Sequence, residues 1–157
     1  MDDSSDGAFG PSDYLTPERC AVLERATKEE VLDKLVSLLG DSPEAGDAQA
    51  LADGIRAREK LLSTGIGLGI AIPHVRLAAA RGLAFAAAIV RDGVADYGSP
   101  DSIPVRLIVM IVARADQHAL YLRVLSRLST RLQEESFRNR VFGCSTAAEL
   151  YAALAEA

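Results

Sequence analysis

Two uninterrupted apolar runs set the strongest limit on what this 157-residue chain can become: LAFAAAIV from Leu83 to Val90, and LIVMIVA from Leu107 to Ala113. Both fall far short of the roughly 20 residues a membrane-spanning helix needs. Their length and apolar content read as buried strands, the second beginning at Val105. Helical patterns flank them. Thr27-Lys28-Glu29-Glu30 has the form of a capping box, followed by Val31, Leu32, Leu35, Leu38 and Leu39 on one face. Gly40 to Pro43 end that helix, and a second covers Asp47 to Arg58. Leu120, Leu122, Val124, Leu125 and Leu128 give a third helix, and Phe137, Val141 and Phe142 a shorter one. Thr146 to Glu149 offers another capping box before Leu150, Tyr151 and Leu154. Gly69 to Ile72 reads as a short strand that delivers Pro73-His74. Arg91 to Pro104, with Gly93, Gly98, Pro100 and Pro104, reads as a long turn. Helices alternating with buried strands predict a single layered α/β domain over residues 14–157. Residues 1–13, rich in Asp, Ser, Gly and Pro, are expected to form a flexible tail.

Charge and composition exclude several function classes. With 17 basic and 22 acidic residues the net charge is −5, and no Lys/Arg run offers a phosphate-backbone footprint. There is no Trp and only 5% aromatic content, which argues against a stacking platform for single strands. Nucleic acid is therefore not an expected partner. Cys20 and Cys144 lie far apart in the chain and form no CxxC, so reduced thiols are expected. The acidic start lacks the positive end and apolar stretch of a signal peptide. A cytoplasmic protein with no direct membrane insertion is the expectation.

The chemistry concentrates in STGIGLGIAIPH, residues 63–74. Gly65, Gly67 and Gly69 alternate, and glycine lets a backbone approach a ligand closely or take positive φ. Ser63 and Thr64 add hydroxyls. Pro73 stiffens the approach to His74, and a neutral imidazole nitrogen is a usable nucleophile. The alternation is GxGxG rather than GxGxxG, no Walker-type lysine follows, and there is no GxSxG elbow. His74 and His118, the two histidines, have no metal-ligand spacing. No metal or cofactor is expected. From the residues alone, His74 reads either as structural, the commoner role of a lone His in a Gly-rich loop, or as a nucleophile.

The segment AREKLLSTGIGLGIAIPHVR resembles the active-site stretch of the enzyme IIA component of the bacterial phosphoenolpyruvate-dependent sugar phosphotransferase system (PTS EIIA type 2). This is the fructose/mannitol branch, which includes the nitrogen-regulatory proteins. Arg58, Glu59, Ser63, Thr64, Gly65, Ile66, Gly67, Gly69, Ala71, Pro73 and His74 match it without gaps. KEEVLDKLVSLL, IPVRLIVMIVARADQ and the stretch from Tyr121 to Ala155 resemble other parts of that family, so the likeness spans about residues 15–157. It implies an α/β (α+β) domain with a mixed β-sheet of about five strands flanked by helices, and the active-site histidine on a loop at the sheet edge. It implies that His74 takes a phosphoryl group on Nε2 from an HPr-type phosphocarrier and passes it to an enzyme IIB component or holds it as a signal. Arg58 would steady the phosphoryl charge, with its planar forked donors. Ser63, Thr64, Gly65 and Gly67 would support the phosphate.

Two departures stand out. The family commonly has a second histidine at the start of the helix after the late strand, and Tyr121 occupies that place; His118 lies three residues earlier on the same face. Either Tyr121 or His118 serves as a second site residue, or both are structural. Ser102 stands where the family often has Gly. Three readings follow: a phosphotransferase acting as phosphohistidine carrier, a regulatory binding module whose target protein senses His74 phosphorylation, and a structural relative that has lost transfer.

Overall fold

The computed structural model describes residues 11–157. The tail expected over residues 1–13 lies outside them as far as residue 10, and Pro11–Asp13 form a 3-10 turn. Helix α1 (Lys28–Gly40) starts at a complete capping box: Glu30 N–H donates to Thr27 Oγ1 at 3.2 Å, and Thr27 N–H donates to the Glu30 carboxylate at 2.9 Å. Helix α2 (Ala48–Leu61) is capped by the Asp47 carboxylate and runs past Arg58 to Leu61. Helices α3 (His118–Leu132), α4 (Glu135–Phe142) and α5 (Ala147–Leu154) follow the two long strands. The second capping box forms differently from the first. Thr146 accepts from Glu149 N–H at 3.1 Å, but the Glu149 carboxylate reaches past Thr146 to Ser145 N–H at 2.7 Å.

The sheet has six strands: β1 (Cys20–Leu23), β2 (Gly65–Gly67), β3 (Ile70–Ala71), β4 (His74–Leu77), β5 (Ala84–Val94) and β6 (Val105–Arg114). That is one more than the expected five or so, because β1, β2 and β4 have at most four residues each, too few to leave a periodic signal. The order is β1-β5-β6-β3-β2, with β4 also on β6. Pairs β1–β5, β6–β3 and β6–β4 are parallel; β5–β6 and β2–β3 are antiparallel. Strand β5 runs into the tract read as loop, and Val94 pairs with Val105 beyond a register shift.

Period-two alternation splits the two long strands between two cores. Phe85, Ala87, Ile89, Leu107, Val109 and Ile111 face α3, α4 and α5. Ala84, Ala86, Ala88, Ile108, Met110 and Val112 face α1 and α2. Both faces are covered by helices, which is why the strands read as continuous apolar runs rather than as alternation.

This arrangement corrects the expected setting of His74, which is not on a loop but opens β4. Strands β3 and β4 lie end to end along one side of β6, beside Leu107-Ile108 and Ile111–Arg114 respectively. The break between them is Pro73, which has no N–H to give a ladder. Its carbonyl still accepts from Ile111 N–H at 2.9 Å, so the register survives the interruption. His74 stands at the end of that break, at the sheet edge.

Candidate active site

The His74 ring is partly exposed and fixed by its own approach segment. Nδ1 lies 2.6 Å from the carbonyl oxygen of Ile72. A carbonyl only accepts, so Nδ1 carries the proton, and the lone pair of the neutral ring is on Nε2. The Ile72 carbonyl is itself held, because Ile72 N–H donates to Thr64 O at 3.1 Å. The carbonyl that orients the imidazole is thus tied to the Ser63–Gly69 segment.

That segment folds around buried hydroxyls. Thr64 is 4% exposed. Its hydroxyl donates to the Glu59 carboxylate and lies 2.8 Å from the Tyr97 hydroxyl. Thr64 N–H donates to Glu59 at 3.3 Å. Glu59, only 7% exposed at its side chain, pairs with Lys28 Nζ at 2.9 Å. Lys28 also caps the Tyr97 carbonyl at 3.1 Å and sits 4.4 Å above the Tyr97 ring. Burial is the largest influence on the Tyr97 phenol and pushes its pKa far up. The Ser63 hydroxyl donates to the carbonyl of Gly98 at 2.7 Å, and Gly65 N–H donates to Ser63 Oγ at 3.2 Å. Both hydroxyls named from the sequence therefore brace the segment.

Two glycines are required by geometry. A Cβ on Gly65 would collide with the carbonyl oxygen of Gly98, and Gly67 has φ +91°. Between Gly67 and Gly69, Leu68 also adopts positive φ, at 61°. The turn is held by Leu68 N–H donating to the Asp101 carboxylate at 2.8 Å. Asp101 accepts as well from Ile103 N–H and from the Ser99 hydroxyl. The Leu68 N–H, then the Ile103 N–H, then the Ser99 hydroxyl hold the Asp101 carboxyl below its usual range.

Arg58 ends α2. Its guanidinium donates to the Leu62 carbonyl at 2.7 Å, closing the helix C-terminus, and it has no carboxylate partner among the described residues. From the far side of the sheet, Tyr121 in the first turn of α3 packs on the imidazole, ring centroids 5.6 Å apart and planes at 44°. Tyr121 is 6% exposed. Burial pushes its phenol up to about 12, while the charges of Arg76 and then Arg58 pull the other way. Both guanidiniums thus lie within electrostatic reach of the phenol, which stays protonated at neutral pH. His118 begins α3 and is exposed. The ring against His74 is that of Tyr121.

Sequence reasoning did not single out Lys28, Tyr97 or Arg76 as site residues. Lys28 and Tyr97 lie 69 positions apart and meet only in the fold. Arg76 had a local signal, two residues after His74 on the same strand. Among the described residues no group of three or more His, Cys, Asp or Glu is placed to hold a metal ion. No described helix is long and apolar enough to cross a membrane.

Comparison with known proteins adds four findings. A family model described as "Phosphoenolpyruvate-dependent sugar phosphotransferase system, EIIA 2" matches residues 13–157. The chain is 41% identical over 119 residues to the PTS system fructose-specific EIIABC component of Bacillus subtilis (strain 168), which covers 76% of this chain and 19% of that relative. It is 33% identical over 138 residues to a nitrogen regulatory protein of Pseudomonas aeruginosa, covering 87% of this chain and 89% of the relative. Among solved structures, the nitrogen regulatory protein IIA-Ntr from Neisseria meningitidis superposes with a TM-score of 0.82 at 30% identity, covering 91% of this chain and 97% of that one.

Proposed function

The chain belongs to the EIIA 2 family of the phosphoenolpyruvate-dependent sugar phosphotransferase system, and from that premise we propose that it carries a phosphoryl group on Nε2 of His74. An HPr-type phosphocarrier supplies the group and an enzyme IIB component receives it. The observation that carries this reading is the 2.6 Å contact of Nδ1 with the Ile72 carbonyl, which leaves Nε2 as the free nitrogen. The Nε2 lone pair forms the new N–P bond as the donor's P–N bond breaks and its electron pair returns to the donor nitrogen. Nδ1 keeps its proton on Ile72 O. When the group departs, the N–P electrons return to Nε2 and a neutral imidazole is left, a good leaving group. Transfer of this kind depends on placement and charge stabilisation more than on further covalent chemistry.

The surrounding residues divide the work. Arg58 swings from Leu62 O to oxygens of the phosphoryl group. Ser63, Thr64, Gly65 and Gly67 support the site by fixing the segment that holds Ile72. Tyr121 backs the imidazole and presents a hydroxyl, protonated at neutral pH, to the phosphoryl group; His118 takes no part. Leu61, Leu62, Ile66, Leu68, Ile103 and Leu122 are large apolar side chains left exposed. They lie on α2, the β2–β3 hairpin, the turn after Pro100 and the start of α3, the segments that frame the site. Such a rim suits docking of a protein partner.

A second reading is a regulatory module whose target protein senses whether His74 is phosphorylated. It draws support from the nitrogen regulatory relative, of which the chain covers nearly the whole length. The readings separate in one reconstitution with enzyme I, HPr, phosphoenolpyruvate and candidate IIB domains. Onward transfer to a IIB domain supports the carrier. Stable phosphorylation with no IIB acceptor, and binding of a target by one phosphorylation state only, supports the regulator. No phosphorylation by HPr sinks both.

A further inference from the structure

We propose that Arg76 is a second cation of this site, its guanidinium binding oxygens of the phosphoryl group on His74. The proposal rests on the His74 reading above. Arg76 follows His74 by two residues on β4, where side chains alternate between the sheet faces. The intervening residues fix which face is which. Val75 and Leu77 pack with the α1/α2 core, and a Cβ on Gly54 of α2 would touch both. His74 and Arg76 therefore project to the opposite face, where α3 places Tyr121 against the imidazole.

Arg76 is exposed and has no hydrogen bond or ion pair with any described residue. Its neighbour Arg114, at the end of β6, is engaged by Asp116 at 2.5 Å. Of the charges that act on the Tyr121 phenol, Arg76 exerts the largest influence and Arg58 the next. The two guanidiniums come from separate elements, Arg58 from α2 and Arg76 from β4, and both act electrostatically on the ring that touches His74. A phosphoryl group on a ring nitrogen carries up to two negative charges on three oxygens. One guanidinium fork satisfies two oxygens and leaves the third for another donor. Without bound phosphate, an unpaired exposed arginine gains nothing for the fold. Its place beside the imidazole gives it a ligand.

Phosphoramidate, a small donor with no protein surface, separates this role from partner docking. The Nε2 lone pair attacks phosphorus, the P–N bond breaks and ammonia leaves. Labelling rate is measured for wild type, Arg76→Gln, Arg76→Lys and the remote control Arg56→Gln, with the Arg76 Nε–H resonance followed on phosphorylation. The expected result is roughly tenfold slower labelling in Arg76→Gln, the scale of one charge-assisted contact. Arg76→Lys recovers most of the rate, Arg56→Gln is unchanged, and the Arg76 resonance shifts in the wild type. Wild-type rate in Arg76→Gln with an unmoved resonance overturns the proposal while leaving the His74 reading intact. So does a loss seen only with HPr as donor, which makes Arg76 a docking residue. Failure of the wild type to be labelled at His74 overturns both.

Discussion

The imidazole of His74 donates from Nδ1 to the carbonyl oxygen of Ile72 across 2.6 Å, two residues back along the same chain. The ring is thus oriented by backbone rather than by a carboxylate. Backbone of an interrupted strand moves little, since Pro73 and Ile72 are both bonded on either side of the break. Nitrogen-15 spectra of the unphosphorylated protein should show a protonated Nδ1 and a bare Nε2 in the neutral ring. The opposite tautomer contradicts the assignment of the nucleophile.

The braces under the site should be measurable as stability. Thr64→Val removes a buried hydroxyl that serves both Glu59 and Tyr97 and leaves two buried polar groups short of a partner. The expected loss is about 1–3 kcal/mol in urea unfolding. Tyr97→Phe removes the phenol oxygen that contacts Thr64 and should lose about 1 kcal/mol. Equal stability of all three proteins would mean the network contributes nothing.

Gly65→Ala tests the close approach of the hairpin to Gly98. Its Cβ would meet a backbone carbonyl, which is not free to give way. The substitution should lower stability and shift amide resonances from Ser63 through Ile72 and around Gly98, with the rest of the spectrum unmoved. Changes confined to residue 65 and its immediate neighbours would show that the segment tolerates a side chain there.

Alkaline pH should expose the buried phenol of Tyr121. Burial raises its pKa from 10.0 to about 12, so the folded state favours the neutral form. That contribution is fully present below pH 10.0 and is lost as pH rises through about 12. Ultraviolet titration should show a component near 12 that disappears in Tyr121→Phe, and unfolding of the wild type should become easier across the same window. A Tyr121-dependent component titrating near 10.0 instead would place the phenol in solvent.

The sequence carried the helices and the two long strands because both signals are local: caps at Thr27 and Thr146, and apolar runs buried on both faces. Strand β3 was legible in Gly69 to Ile72, but β1, β2 and β4 were hidden, since three or four residues form a strand only when a partner strand is already beside them. The setting of His74 was misread for that reason. Its strand exists through pairing with Ile111–Arg114 and not through any property of HVRL. The segment around His74 was legible from its resemblance to a family, whereas the residues that hold it, Lys28 and Tyr97, come from separate parts of the chain. Tyr121 could be named from its place in the family pattern, but its contact with the imidazole needed the fold.

The most direct test is to phosphorylate the protein with enzyme I, HPr and labelled phosphoenolpyruvate, digest it at neutral pH and locate the label by mass spectrometry. The account predicts a single acid-labile modification on His74, absent from a folded His74→Ala protein. Label on His118 or another residue, or none on a folded wild type with active HPr, would contradict it.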